Sequence, residues 1–217
     1  LSVSGEPVYG EKDLVDLAKM REMGLPFWLA GGRGTAEGLR DALASGAAGI
    51  QVGTAFAYCA ESGLDPATKA RVLGLAAAGG AHVFTDPVAS PTGFPFKVVQ
   101  IEGTLSSEAE YLARTRICDL GYLREPYRRD DGSTGYRCAS EPVSQYVGKG
   151  GKEENALGRK CLCNALMADV GIGQTRGGIA EKTLVTSGDD VADIARFLRN
   201  GNASYGAADV IARLLET

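Results

Sequence analysis

Apolar and polar positions in residues 25–56 alternate in a strand, turn, helix, strand, turn order. Residues 27–30 form a short apolar run, with Pro26 before it and Gly31-Gly32 after it. That is the pattern of a strand buried on both faces. Thr35 is placed to N-cap a helix whose apolar residues Ala36, Leu39, Leu43 and Ala47 recur at roughly helical spacing, with Gly46 as its stop. A second apolar run, 49–52, ends at Gly53-Thr54. Two adjacent parallel strands are therefore expected, each ending in a glycine turn. Upstream, residues 11–23 read as a helix with an acidic first turn and Gly24 as terminator, turning Leu14, Leu17 and Ala18 inward. Downstream, Asp65 N-caps a helix with Pro66 at its first position, running through Val72, Leu73 and Leu75 to Gly79-Gly80.

The pattern changes after residue 80. In residues 85–97, Pro87, Pro91 and Pro95 recur every fourth residue, which prevents a regular helix and an interior strand. With Phe94 and Phe96 this reads as an ordered loop over an apolar surface, either a lid or a plain connection. Residues 116–138 read as a hairpin turning at Asp130-Asp131-Gly132-Ser133. Residues 144–160 are polar and glycine-rich, an expected exposed loop. Apolar faces at Val191, Ile194, Ala195 and Leu198, and at Ala207, Ala208, Ile211 and Leu215, predict two closing helices over 187–198 and 204–215. The expected division is residues 1–80, carrying the glycine turns, and 81–217, an α+β extension with a lid-like loop, a hairpin and the two terminal helices.

A glycine turn at a strand's carboxyl end lets backbone N–H groups approach an anion that side chains would hold away. Helix N-termini add unpaired N–H groups and a favourable dipole. Gly31, Gly32, Gly53 and the Thr54 hydroxyl suit phosphate binding, and in a (β/α)8 barrel the turns after the last two strands form such a site. The alternative is a pair of tight βα turns without a ligand. Arg33, between the glycines and the helix, either neutralises a phosphate or faces solvent.

With 44% hydrophobic and 23% charged residues, the composition is that of a soluble globular chain. A net charge of −4 argues against nucleic acid as a partner. No apolar run is long enough to span a membrane and no signal peptide opens the sequence, so a membrane is not an expected partner and a cytoplasmic setting is expected. Five cysteines leave a disulfide framework unpaired, which fits a reducing compartment. Cys118 and Cys138 bracket the hairpin, and Cys161 and Cys163 form a C-x-C pair. The spacing matches no standard zinc pattern, so buried thiols without metal are the expectation and a four-thiolate metal site the alternative. Cys59 reads as a packing residue. The single histidine, His82, reads as structural or exposed, and Asp130-Asp131 as turn chemistry.

The run FWLAGG, followed by AAGIQVGTAF, resembles the nitronate monooxygenases and the related FMN-dependent enoyl-acyl-carrier-protein reductases. The resemblance is specific over residues 11–62. It implies the carboxyl-terminal portion of a (β/α)8 TIM barrel, with FMN as cofactor held by Gly31, Gly32, Gln51, Gly53 and Thr54. The implied reaction is oxidative denitrification of an alkyl nitronate, a small-molecule substrate, using O2. The later segments TDPVASPTGFPFKVV, CDLGYLREPY and GRKCLCNAL resemble a longer branch that includes trans-acting enoyl reductases of polyunsaturated fatty acid and polyketide synthesis. Family members carry their flavin-ring contacts and catalytic histidine ahead of this unit. The expectation is therefore a fragment lacking the N-terminal barrel half, inactive alone, with no catalytic residue assigned and oligomerisation left open. An NAD(P)H-dependent enoyl reductase, a sugar-phosphate-binding barrel and a non-catalytic, metal-stapled interaction domain are the other readings.

Overall fold

The structure is a computed structural model that describes residues 1–199 and 201–216. Asp16 accepts hydrogen bonds from the Ala18 and Lys19 N–H groups, so the first α-helix, α1 (Leu17–Glu22), begins only there. The expected helix over 11–23 is thus interrupted. A 3-10 turn occupies Glu11–Asp13, and Leu14 is 77% exposed rather than turned inward. Strand β1 (Trp28–Leu29) leads through the Gly31-Gly32 turn to α2 (Ala36–Ala44), where the Thr35 hydroxyl accepts the Gly38 N–H at 2.9 Å. Strand β2 (Gly49–Ile50) follows, then the four-residue α3 (Thr54–Ala57) and α4 (Pro66–Ala77). The Asp65 carboxylate accepts the Thr68 N–H at 2.8 Å and caps α4 as expected.

Strand β3 (Val83–Asp86) pairs with β4 (Phe96–Val99), so the proline-spaced segment connects two neighbouring strands. Asp86 fixes its start by accepting the Val88 and Ala89 N–H groups, each at 2.9 Å. Phe96 packs against the core while Phe94 stays exposed. Helix α5 (Glu108–Ala113) precedes the hairpin of β5 (Glu125–Arg128) and β6 (Thr134–Arg137), whose register pairs Glu125 with Arg137 and Arg128 with Thr134. Gly132 sits at φ 82° in its turn, a conformation that favours glycine. The expected exposed loop over 144–160 instead holds α6 (Val143–Gly148) and a 3-10 turn, Glu153–Ala156. Tyr146 is the reason: it is buried against Ala139, Ala156 and Val143. Helix α7 (Leu162–Asp169) and the short pair β7 (Thr175–Arg176) and β8 (Ile179–Ala180) complete this part.

The terminal segment forms a nine-residue 3-10 helix, Asp189–Phe197, and α8 (Ala207–Leu214). Two compact units result: residues 1–7 with 84–186, and residues 8–83 with the segment from 187 onward. In the second, the 3-10 helix packs on α3 and α4, and α8 on α2 and α3. Among the described residues every sheet has two strands, so the fold is a mixed α/β arrangement of small sheets and helices with no closed barrel. No helix among them is long and apolar enough to cross a membrane.

The core of the 84–186 unit is Val98, Leu105, Tyr111, Leu162, Ala165 and Leu184. Asp169, at the end of α7, is buried near it, and burial pushes its pKa up to about 7. Its Oδ1 has no hydrogen-bond partner. Between the ordinary carboxylate value and about 7 the folded chain keeps a proton that the unfolded chain has released, so stability falls as pH rises through that window and levels off above it. Asp169→Asn should therefore raise Tm relative to the parent chain, and the gain should grow from about pH 4 to about pH 8. Thermal denaturation at several pH values checks this, and a pH-independent difference would contradict it.

Candidate functional site

The two glycine turns leave neighbouring strands. β1 and β2 run parallel, with Trp28 opposite Gly49 and Leu29 opposite Ile50. The Ala48 N–H donates to the Phe27 carbonyl and the Gln51 N–H to the Leu29 carbonyl, both at 2.8 Å, extending the ladder at each end. Gly49 lets the strands meet here, because a Cβ would stand 3.2 Å from the Trp28 ring. The expected burial on both faces does not occur. β1 and β2 pair only with each other, and Trp28 is 56% exposed because no further strand flanks it in this unit.

Gly31 and Gly32 adopt φ of 78° and 66°, left-handed values that only glycine takes without strain. Gly53 N-caps α3 at φ −99°, within reach of any residue, so its role is space rather than conformation. A Cβ at Gly31, Gly32 or Gly53 would meet nothing within 4 Å. Both turns are thus exposed backbone facing open space. The first N–H groups of α3 have no intrahelical acceptor. The Gln51 side chain is exposed, while its N–H is committed to the ladder.

The terminal segment holds both turns from behind, a contribution that sequence reasoning missed. The Arg196 guanidinium donates to the Gly34 carbonyl at 3.0 Å and pairs with Asp190 at 3.1 Å, both side chains being largely buried. It also lies 4.5 Å from the Phe197 ring centre. The Gly188 N–H donates to the Thr54 hydroxyl oxygen at 3.2 Å, leaving that hydroxyl its own proton to give. The Tyr205 hydroxyl donates to the Ala55 carbonyl at 2.6 Å, and the Ala60 N–H to the Tyr205 carbonyl at 2.8 Å. Lys69 closes the turn beyond α3 by donating to the carbonyls of Cys59, Ala60 and Ser62. The signal in the sequence was an arginine on the polar face of an amphipathic segment, which names no target by itself.

Other residues singled out in the sequence lie elsewhere. Arg33 is half-buried beside the first turn, and His82 is exposed. Cys59 is buried, its thiol donates to the Phe56 carbonyl at 3.1 Å, and burial pushes its pKa up. Asp131 accepts from the Ser133 N–H and hydroxyl, at 2.9 and 2.7 Å, which is turn chemistry. The other four cysteines, from three separate segments, line one small pocket in the 84–186 unit.

Exposed left-handed glycine backbone, a helix start and a donor-ready hydroxyl fit the phosphate end of a cofactor. They offer hydrogen bonds to phosphate oxygens and recognise nothing else in the ligand. Residues 4–88 match the family model described as nitronate monooxygenase, a segment that contains β1, α2, β2, α3, α4 and both glycine turns. The resemblance read from FWLAGG and AAGIQVGTAF is thereby borne out, and the matched family is one of oxidoreductases. No curated protein matches the sequence.

Gly34 tests the hold on the first turn. A Cβ there would stand 2.6 Å from Asp190 Oδ2 and 3.3 Å from Arg196 Nη2. Gly34→Ala should cost about 1–3 kcal/mol of stability, as overpacking does. In an Asp190→Ala background the same change should cost less, because the obstructing carboxylate is gone. Denaturant unfolding of the four chains measures this, and strictly additive costs would contradict it.

Proposed function

We propose that this chain carries the phosphate-binding end of an FMN-dependent oxidoreductase resembling nitronate monooxygenase, built as the last part of a (β/α)8 barrel. The observation that carries the reading is the pair of open glycine turns on adjacent parallel strands, within the segment that matches the family. Backbone N–H groups at Gly31 and Gly32 would meet the phosphate from one strand. Gly53, the first turn of α3 and the Thr54 hydroxyl would meet it from the next, and the exposed Gln51 side chain lies between the two turns in the sequence of contacts. When bound, FMN would supply the electron-accepting ring for oxidative denitrification of an alkyl nitronate with O2. This chain's own part is to fix the phosphate, and with it the position of the ring.

The barrel reading is supported by the state of the sheet. A two-stranded parallel pair with exposed edges and an exposed Trp28 is what remains when neighbouring strands belong to other sequence. Two strands do not close a barrel, so the 217-residue chain alone should show little or no nitronate oxidation. Oxygen uptake with an alkyl nitronate and added FMN measures this. Sustained turnover would overturn the barrel reading while leaving the phosphate site open.

The phosphate assignment has its own test at Gly53, where a side chain fits the backbone conformation and meets no protein atom. Gly53→Val should fold as the parent chain does and place its methyls where the phosphate would sit. FMN should bind the parent more tightly than riboflavin, with inorganic phosphate competing, and the variant should lose at least about tenfold in FMN affinity, ~1.4 kcal/mol. Flavin fluorescence titration reads both effects. Equal affinities for FMN and riboflavin would contradict the assignment.

A further inference from the structure

We propose that Cys118, Cys138, Cys161 and Cys163 form a structural zinc site in the 84–186 unit. The four residues arrive from three separate segments. Cys118 follows α5, Cys138 directly follows β6, and Cys161 and Cys163 flank the first residue of α7. All four nevertheless line a single pocket with free space of about 10 Å³, room for one ion rather than for an organic molecule. All four are free thiols. Four cysteines gathered by tertiary structure around an ion-sized space are not accounted for by packing alone, since buried thiols have no reason to share a pocket.

Burial pushes the Cys138 and Cys163 thiols up, and nearby N–H and guanidinium donors act in the opposite direction. The Ser140 N–H lies near the Cys138 sulfur, and the Tyr122 and Leu123 N–H groups lie near the Cys163 sulfur. The Arg124 guanidinium lies against Cys118 and also donates to its carbonyl. Arg114 lies against Cys161, with its Nε in an ion pair with Glu181 at 2.5 Å. The two terminal nitrogens of Arg114 are buried and have no hydrogen-bond acceptor. A protonated thiol leaves those donors unsatisfied, whereas a metal-bound thiolate accepts them. Four thiolates around Zn²⁺ carry a net charge of −2, which the two guanidinium groups offset.

As placed, no three His, Cys, Asp or Glu side chains among the described residues stand as a ligand set. Binding an ion therefore requires the cysteine side chains to move together. A change of χ1 rotamer moves a cysteine sulfur by about 3 Å, and closure brings each to about 2.3 Å from zinc in a tetrahedron. Binding releases the four thiol protons, with no oxidation or reduction. The ion ties the segment after α5, the hairpin and the start of α7 to one point. That is a useful constraint in a unit whose sheets have two strands each.

The test uses the full 217-residue chain, expressed without added metal and analysed for zinc, iron and acid-labile sulfide. About one zinc per chain is expected. Cobalt put in its place should give the intense sulfur-to-cobalt charge-transfer bands of a tetrathiolate. Titrating the unmutated protein with an organomercurial should release the zinc as the thiols react, a readout that does not depend on any variant folding. Cys161→Ser with Cys163→Ser should lower the bound zinc at least about tenfold. Absence of metal, iron with acid-labile sulfide, a disulfide among the four, or zinc retained by the double variant would each overturn the proposal. None of these outcomes bears on the flavin reading, which concerns the other unit.

Discussion

The contact on which the candidate site depends is the hold of Arg196 on the Gly34 carbonyl, with Asp190 pairing with the same guanidinium nitrogen. Two strands of two residues each cannot position their own turns, because an isolated pair buries too little surface to be rigid. Rigidity has to come from elsewhere in the unit. It comes from the 3-10 helix Asp189–Phe197, which reaches the first turn through Arg196, while Gly188 just before it reaches the second turn at Thr54. One short element thus sets the spacing between two turns that the chain forms well over a hundred residues earlier. The pair is partly shielded from water, so the geometry of the Gly34 carbonyl is held more tightly than a surface ion pair would hold it.

The other unit solves a different problem. Its sheets are short and its apolar cluster modest, and it buries charges in the process. Glu181 pairs with both Arg114 and Arg176, and Glu141 with Lys149 at 2.6 Å. Glu181 and Glu141 are almost fully buried, so removing either partner would strand a charge. Such pairs fix which segments meet more than they add net stability. The terminal nitrogens of Arg114 are buried without an acceptor, and that guanidinium lies against Cys161 in the cysteine pocket.

Local chemistry was legible in the sequence wherever one residue decides the outcome. Thr35 and Asp65 cap their helices, Gly132 makes its turn, and the two glycine turns end adjacent parallel strands. The reading failed where two local signals competed. Leu14 belongs to an apparent helical face, yet Asp16 captures the N–H groups of Ala18 and Lys19 and starts the helix later. It failed also where polarity hid a single apolar anchor, as with Tyr146 in a segment read as a loop. Most of all, periodicity shows that the terminal helix has an apolar face without saying what covers that face. The return of Arg196 to Gly34 and of Tyr205 to Ala55 is a tertiary fact. The gathering of four cysteines around one pocket is another, since their spacing matches no standard metal pattern and left a shared site only as the alternative.

The central claim is that the backbone of the two glycine turns is a phosphate cradle. Amide NMR of the chain during titration with FMN tests it most directly, because it reports the N–H groups themselves. The account predicts saturable shifts of the Gly31, Gly32, Gly53 and Thr54 amides, reproduced more weakly by inorganic phosphate. Shifts confined to other residues, or none at these four while flavin binds, would contradict it.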